Sequence, residues 1–404
     1  MAPILQARDE RDVLAAVGDA VAAKRPLEIV GHGSRRGLGR PTEADGILDL
    51  SALSGVTLYE PNELVLTAKA ATPLRDLEAL LAAHDQRLAF EPPDFGTLWG
   101  RPEGLGTIGG AVSVGFGGPR RPSAGAARDH LLGFKAVNGF AEAFAGGGRV
   151  VKNVTGYDVS KLMAGAFGTL GVLTEVTLKV LPGAPAAATV IIAGLEEAAG
   201  LKVLRDAYGS PSPVTGAAYL PAEIAARLDL AVVGGRSATL LRLEGVSPAI
   251  SAAAADLCAL HPGRSDVLAP EAAAPLWRAI GGASVFAGSD TAVWRVCAPP
   301  AAAPGLAEAL RSIGAASLYH DWGGGLLWVE GPATPDGGAK AIREAVQRVA
   351  GEGHATLVRR STGMDVGVEP FQPLAPGVAN LTRRIKAQFD PAGIFNPGRM
   401  QRDW

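Results

Sequence analysis

Cysteine is nearly absent from this chain: only Cys258 and Cys297 occur among 404 residues. Their separation rules out a CxxC redox or zinc pair, and two thiolates are too few to ligate an iron-sulfur cluster. The chain therefore carries no electron relay of its own. Histidine is scarce too: His32, His84, His130, His261, His320 and His354 are scattered, so no local cluster offers a metal site and none is expected. Neither sign of charge is in excess. Lys plus Arg total 38 against 40 Asp plus Glu, which leaves no whole-molecule field to attract nucleic acid or an anionic membrane. Long apolar runs are also missing. No uncharged stretch exceeds 16 residues, and one of that length, residues 180–195, is broken by Pro182, Gly183 and Pro185, so no transmembrane segment is expected. Arg8, Asp9 and Glu10 come too early for a secretory signal, which points to a cytoplasmic protein in which the sequons at Asn153 and Asn380 are chance matches.

Glycine is what the chain has in quantity, with 53 residues. The length exceeds one ordinary core and predicts two domains plus a terminal segment that returns to the first. An apolar strand, Leu27-Glu28-Ile29-Val30, runs into Gly31-His32-Gly33-Ser34-Arg35-Arg36-Gly37-Leu38-Gly39-Arg40, a loop with four glycines and three arginines. Glycine accepts positive φ and lets backbone approach a ligand, so successive N–H groups can converge on an anion. A loop of this kind suits a diphosphate; the plain alternative is a Gly-rich surface turn.

Around it the chain alternates short strands and helices. Asp9 reads as the N-cap of a helix with Val13, Val17, Ala20 and Val21 on one face. Residues 46–50 and 64–68 read as strands, and Thr72-Pro73 opens a helix carrying Leu74, Leu77 and Leu81. Two strands, residues 131–137 and 140–144, are joined by Asn138-Gly139, a two-residue hairpin signal. An alternating strand over residues 172–180 ends at Pro182, and Gly183-Ala184-Pro185 marks the first domain boundary.

A second cluster places seven glycines within residues 104–118. Gly104 to Gly109 fits GxGxxG, and Asp129 follows at a distance that suggests a nicotinamide-binding unit. Context argues against it: Glu91-Pro92-Pro93-Asp94 and Arg101-Pro102 precede the motif where a strand should, and more glycines follow where a helix should continue.

Four segments in order carry a resemblance. They are the loop at residues 31–39; Thr107-Ile108-Gly109-Gly110 through Gly118-Pro119-Arg120-Arg121; Arg128-Asp129-His130-Leu131-Leu132-Gly133; and Lys152-Asn153-Val154-Thr155-Gly156-Tyr157-Asp158 through Gly168-Thr169-Leu170-Gly171-Val172. Together they resemble the PCMH-type FAD domains of the vanillyl-alcohol oxidase superfamily. Within it the chain is most similar to the FAD-binding E subunits of bacterial glycolate oxidases, with further matches at His320-Asp321-Trp322-Gly323-Gly324 and in the tail from Phe389 to Met400.

The resemblance implies an α+β fold: a two-subdomain FAD-binding domain over residues 1–182, a cap with antiparallel sheet over 183–370, and a segment, 371–404, returning to the FAD domain. It implies that Gly31, His32, Gly33, Ser34, Arg35, Gly37 and Gly39 cradle the FAD pyrophosphate. Thr107, Ile108, Gly109, Gly110 and Ser113 would line the opposite wall, with Pro92 also counted among the cofactor-binding residues. Leu132, Gly133, Gly171 and Val172 would lie along the flavin or its adenosine end. Some relatives attach flavin covalently through Gly-Gly-His; here His32 precedes Gly33, so the expected FAD is non-covalent.

Oxidising a 2-hydroxy acid needs a base for the hydroxyl proton and a cation for the carboxylate. The candidates are His320, beside Asp321 and Trp322, together with His354 and Arg359. His84 and His261 read as structural. The resemblance further implies partners, a second FAD subunit and an iron-sulfur subunit of glycolate oxidase, that would hold the complex peripherally at the inner membrane, and a small 2-hydroxy acid as substrate. A stand-alone D-lactate-type dehydrogenase and a non-catalytic assembly subunit are the alternatives.

Overall fold

A computed structural model describes residues 3–149 and 157–403; the Lys152-Asn153-Val154-Thr155-Gly156 stretch lies outside the described residues. Asp9 caps the helix Glu10–Ala23, its carboxylate accepting from the amides of Arg11 and Asp12 at 2.8 and 3.0 Å. Val13, Val17 and Ala20 on that helix are buried against a three-stranded parallel sheet, in which Gly46–Asp49 lies between Ile4–Gln6 and Leu27–Val30. A second sheet is antiparallel, in the order Val56–Glu60, Val65–Lys69, Val172–Lys179, Leu131–Val137, Ala143–Gly147. The helix Leu74–Ala82 buries Leu74, Leu77 and Leu81 in the core on one face of it. These two sheets form the N-terminal lobe.

The Asn138-Gly139 hairpin departs from expectation. The second strand begins at Ala143, with Val137 paired to Ala143 across a connection of residues 138–142. Asn138 Oδ1 accepts from the amides of Phe140 and Glu142, turning the chain by an Asx-type loop. Gly139 is needed elsewhere: its amide donates to Phe389 O at 2.8 Å, and an added Cβ would sit 2.6 Å from Asp390 Cα. The turn is a dock for the C-terminal helix.

After Pro182 the chain enters an eight-stranded antiparallel sheet. Its first half is ordered Ser265–Leu268, Ala186–Ala193, Ala238–Gly245, Val214–Leu220, with helices Glu197–Tyr208 and Ser247–Ala259 in the crossovers. Its second half mirrors that order: Ser317–Asp321, Leu326–Glu330, Val293–Cys297, His354–Arg359, with helices Ala303–Ser312 and Ala339–Ala350. Each half is a β-α-β-β-α-β unit, and the two meet edge to edge through the single pair Tyr219 and His320. One face of the sheet is covered by the four helices. The other packs through Trp277, Ile280, Phe286, Tyr319 and Trp328 onto Leu38, Phe95, Leu98, Val114 and Phe167 of the N-terminal lobe.

The helix Pro376–Phe389 and the tail then return to that lobe. Phe395 bridges Leu27 in parallel, with Leu27 N donating to Ile394 O at 2.7 Å and Asn396 N to Leu27 O at 3.0 Å. Lys386, 5% exposed, donates to Thr169 O, Phe395 O and Asp390, so its buried charge is met on three sides. Phe395 is fully buried in the core below the parallel sheet. Phe395→Ala should destabilise the protein by about 3–5 kcal/mol, read as a lower denaturant midpoint by circular dichroism. A midpoint equal to that of the unmodified chain would show that the tail is not part of the fold.

Candidate functional site

The parallel sheet delivers the loop of residues 31–39 to the mouth of a groove enclosing about 790 Å³, part of it open to solvent. One wall is Ile29, Val30 and residues 31–36; the other comprises Ala70, Ala71, Thr107, Gly109, Gly110, Ser113, Gly168 and Gly171, and Val114 and Phe167 also line it. Among the described residues, no backbone or side-chain acceptor on the chain meets the amides of His32, Gly33, Ser34 or Arg35. Orphaned amides in succession are costly unless water or a ligand satisfies them, and they suit an anion. Arg35 adds the charge. It meets only Pro93 O at 3.1 Å and Ser34 Oγ at 3.5 Å, with no carboxylate within salt-bridge reach, and burial pulls its guanidinium down to about 10 against the opposing influence of Asp94.

The loop is braced from outside. Glu28, 9% exposed, accepts from Arg36 Nε and Arg399 Nη2 at 2.9 Å each. Arg399 also donates to the carbonyls of Arg36 and Leu38 at 2.9 and 3.1 Å. Gly39 has φ +80°, and an added Cβ would lie 2.8 Å from Arg399 O, so glycine is required there for both reasons. Asn396 fastens the tail to both walls: its side chain accepts from Ile29 N at 2.9 Å and donates to Phe167 O at 2.8 Å.

Sequence reasoning named Gly31, His32, Gly33, Ser34, Arg35, Thr107, Gly109, Gly110, Ser113 and Gly171, and these come together along the groove. Gly37 and Gly39 lie instead on a neighbouring cleft with Trp99, Arg101 and Arg359. Ile108 and Val172 are fully buried in the two cores behind the wall, while Leu132 and Gly133 belong to the hairpin. A Cβ on Gly133 would meet Gly148 O at 2.7 Å, so that glycine serves strand packing. Gly109 has a similar duty, since a Cβ there would lie 2.7 Å from Ala70 O. Pro92 does not line the groove. The GxGxxG reading fails on structure: the short helix Ile108–Val114 is entered from a loop, and its Ile108 and Gly109 amides already donate to Thr72 O and Ala70 O.

The proton-transfer candidates are corrected. His320 sits on the helix-covered face of the sheet, fully buried, with Nε2 2.9 Å from Glu197 Oε1, because strand alternation sends Tyr319 and Asp321 the other way. Arg359 uses its guanidinium on Leu98 O, Phe286 O, Thr291 O and Ser289 Oγ, stapling the lobes together. His354 is exposed on the last strand. Among the described residues no three His, Cys, Asp or Glu side chains converge as metal ligands. Sequence reasoning missed Phe167, Asn396 and Arg399; for the last two the signal was their place in the tail motif Phe395-Asn396-Pro397-Gly398-Arg399.

An ion network joins the lobes. Arg242 holds Glu91 with two bonds of 2.9 and 3.0 Å, Arg120 bonds both Glu91 and Glu244, and Arg87 reaches Glu244 at 2.8 Å. Burial alone would raise the Glu244 carboxyl, but the Arg120 hydrogen bond and the charges of Arg120, Arg242 and Arg87 bring it to about 2.

The groove thus sets an anion-binding run of amides and Arg35 beside an apolar lining. The family model described as "FAD binding domain" matches residues 1–143. Glycolate oxidase subunit GlcE of Escherichia coli strain K12 is 33% identical over 96% of this chain and 96% of its own length. Glycolate oxidase subunit GlcD of Bacillus subtilis strain 168 is 32% identical over 35% of this chain and 28% of its own. Among solved structures, 4-ethylphenol oxidase from Gulosibacter chungangensis, in its isoeugenol complex, aligns over 98% of this chain and 88% of that one with a TM-score of 0.73 at 15% identity, a likeness of fold.

The depressed Glu244 carboxyl has a pH consequence. Its contribution is complete above the ordinary value of 4.5 and is lost as pH falls toward about 2. Glu244→Gln should flatten that acid limb of the stability profile and cost about 3–5 kcal/mol near neutrality, because Arg120 and Arg87 lose their shared partner. Thermal melts across an acid series check both, and an unchanged acid limb would mean the network does not couple the lobes.

Proposed function

The chain belongs to the FAD-binding E-subunit family of bacterial glycolate oxidases, and from that premise we propose that it is the FAD-carrying subunit of a glycolate-oxidising complex. The observation that carries this reading is the run of unpartnered amides at residues 32–35 beside Arg35. Bound FAD supplies the acceptor for a hydride from C2 of a 2-hydroxy acid, which leaves as the 2-oxo acid.

In this reading the chain's own residues bind and orient the cofactor. The amides of residues 31–35 take the diphosphate oxygens, and Arg35 neutralises part of their charge. Thr107, Gly109, Gly110 and Ser113 present a wall low in side chains to the opposite side. Ala70, Ala71, Leu50, Leu173, Val114 and Phe167 give the cofactor's flat parts a dry lining. His32 is exposed at the loop and takes no covalent part. Gly37 and Gly39 act by shaping the loop, and Leu132, Gly133, Ile108 and Val172 by supporting the walls.

We assign residues 1–182 and the returning segment 371–404 to FAD binding, and 183–370 to a cap that closes the substrate side. A subunit of this family works within a multisubunit assembly. Its partners here are a second FAD subunit and an iron-sulfur subunit, which compensate for a chain with two cysteines. Among the described residues no helix is long and apolar enough to cross a membrane. In this reading the partner subunits hold the complex peripherally at the inner membrane.

Two variants test the reading. Arg35→Gln should weaken FAD binding about 10- to 100-fold, the value of one charge-assisted interaction to phosphate, measured by flavin retention on the folded chain. Gly109→Asp, which intrudes on Ala70 and places a carboxylate by the groove, should leave a colourless protein and, if this flavin takes part in electron flow, an assembled complex without turnover. Full flavin content in both variants would refute the assignment.

A further inference from the structure

Arg295 has the surroundings of an anion receptor. On the strand Val293–Cys297 the pleat turns Arg295 and Cys297 toward the N-terminal lobe, while Trp294 and Val296 enter the core beneath the helices. Arg295 is 5% exposed, yet among the described residues no carboxylate comes within salt-bridge distance of it, and its one hydrogen bond runs from Nη1 to Cys297 Sγ at 3.2 Å. Phe116 and Trp322 cover the guanidinium at 4.8 and 4.7 Å. Ring faces offset part of the burial cost, but they leave the in-plane N–H donors free.

A second arginine and a histidine gather beside it. Arg121, exposed, reaches across from the N-terminal lobe to within 5.1 Å of the same indole, and His354 stands opposite Cys297 on the neighbouring strand. Neither has an acidic partner within salt-bridge distance among the described residues. Loss of water around the ring from the packed lobes, then the charges of Arg295 and Arg121, hold the His354 imidazole below its ordinary value. Asp321, the acid that Arg295 feels, is buried with Oδ2 unbonded and its carboxyl raised to about 7, chiefly by burial. Phe116 also contacts Phe167, the groove residue, with ring centroids 6.5 Å apart. The cluster therefore sits one aromatic ring from the groove, at the meeting of the lobes.

We propose that Arg295 anchors the carboxylate of a small 2-hydroxy acid, with Arg121 and His354 forming the outer edge of that subsite. The planar guanidinium fork matches a carboxylate in two parallel hydrogen bonds. The choice of acid rests on the function proposed above.

Cys297 is a reporter at the subsite, and Cys258, on the helix Ser247–Ala259, is the internal control. In the full chain supplied with FAD, saturating glycolate should slow alkylation of Cys297 by iodoacetamide several-fold and leave Cys258 unchanged. Arg295→Met should abolish the protection. Arg121→Gln, a surface change that spares the core, should raise the glycolate concentration needed by about tenfold. An unchanged Cys297 rate, equal protection by inorganic phosphate, or full protection in both variants would overturn the proposal. Flavin absorbance on the same samples separates the two readings: protection without bound flavin refutes the FAD assignment and supports this one, and bound flavin without protection does the reverse.

Discussion

A buried carboxylate gripped by arginines from opposite ends of the chain holds the groove open. Glu28 lies at the base of the loop; Arg36 reaches back to it from within the loop, and Arg399 comes from the tail. Removing Glu28 from water is costly, and two guanidiniums offset that cost only in this geometry. The same Arg399 ties down the carbonyls of Arg36 and Leu38, so the backbone between is not free to relax into a turn that would satisfy its own amides. The unpartnered donors at residues 32–35 are thus sustained by the scaffold. The ligand site and the tail's docking are one construction.

The eight-stranded sheet divides its labour by face. Residues pointing to its helices, including His320, build two ordinary cores beneath two mirrored β-α-β-β-α-β units. Residues pointing the other way, including Arg242, Glu244, Arg295, Tyr319 and Trp328, meet the N-terminal lobe. A one-residue change of register would exchange these sets. The interface combines aromatic packing with a carboxylate–arginine network, which fixes relative position more strictly than apolar contact alone because each charge must keep its partner.

Much of the local structure is legible in the sequence. Asp9 capped its helix because the cap is a contact within three residues, and the Leu74, Leu77, Leu81 stripe declared its buried face by spacing alone. The loop at residues 31–36 and the wall at Thr107 to Ser113 were legible for the same reason, since glycine density is a local signature. The hairpin at Asn138-Gly139 was misjudged because the C-terminal helix uses that glycine for a backbone approach, a demand from 250 residues away along the chain. His320 draws attention through its neighbours Asp321 and Trp322, but the pleat sends it to the opposite side from Asp321, and the turn that ends the strand carries Trp322 to that other side. The mirrored units of the second sheet left no repeat visible in the residues, because two similar topologies need only similar patterning.

By itself, then, the amino-acid sequence determined the α+β class, the scarcity of cysteine, the two glycine-lined segments and the family to which they belong. Each of these is a property of composition or of residues close together in the chain, and short-range sterics and hydrogen bonding suffice to express it. Only the tertiary structure decided that Glu28 would meet Arg399, that Asn396 would fasten both walls, and that Arg295 would lie buried without an acid beside Arg121. Those pairings follow from how the sheets pack and where the tail returns, and burial and partner selection at such distances are settled by the whole core at once.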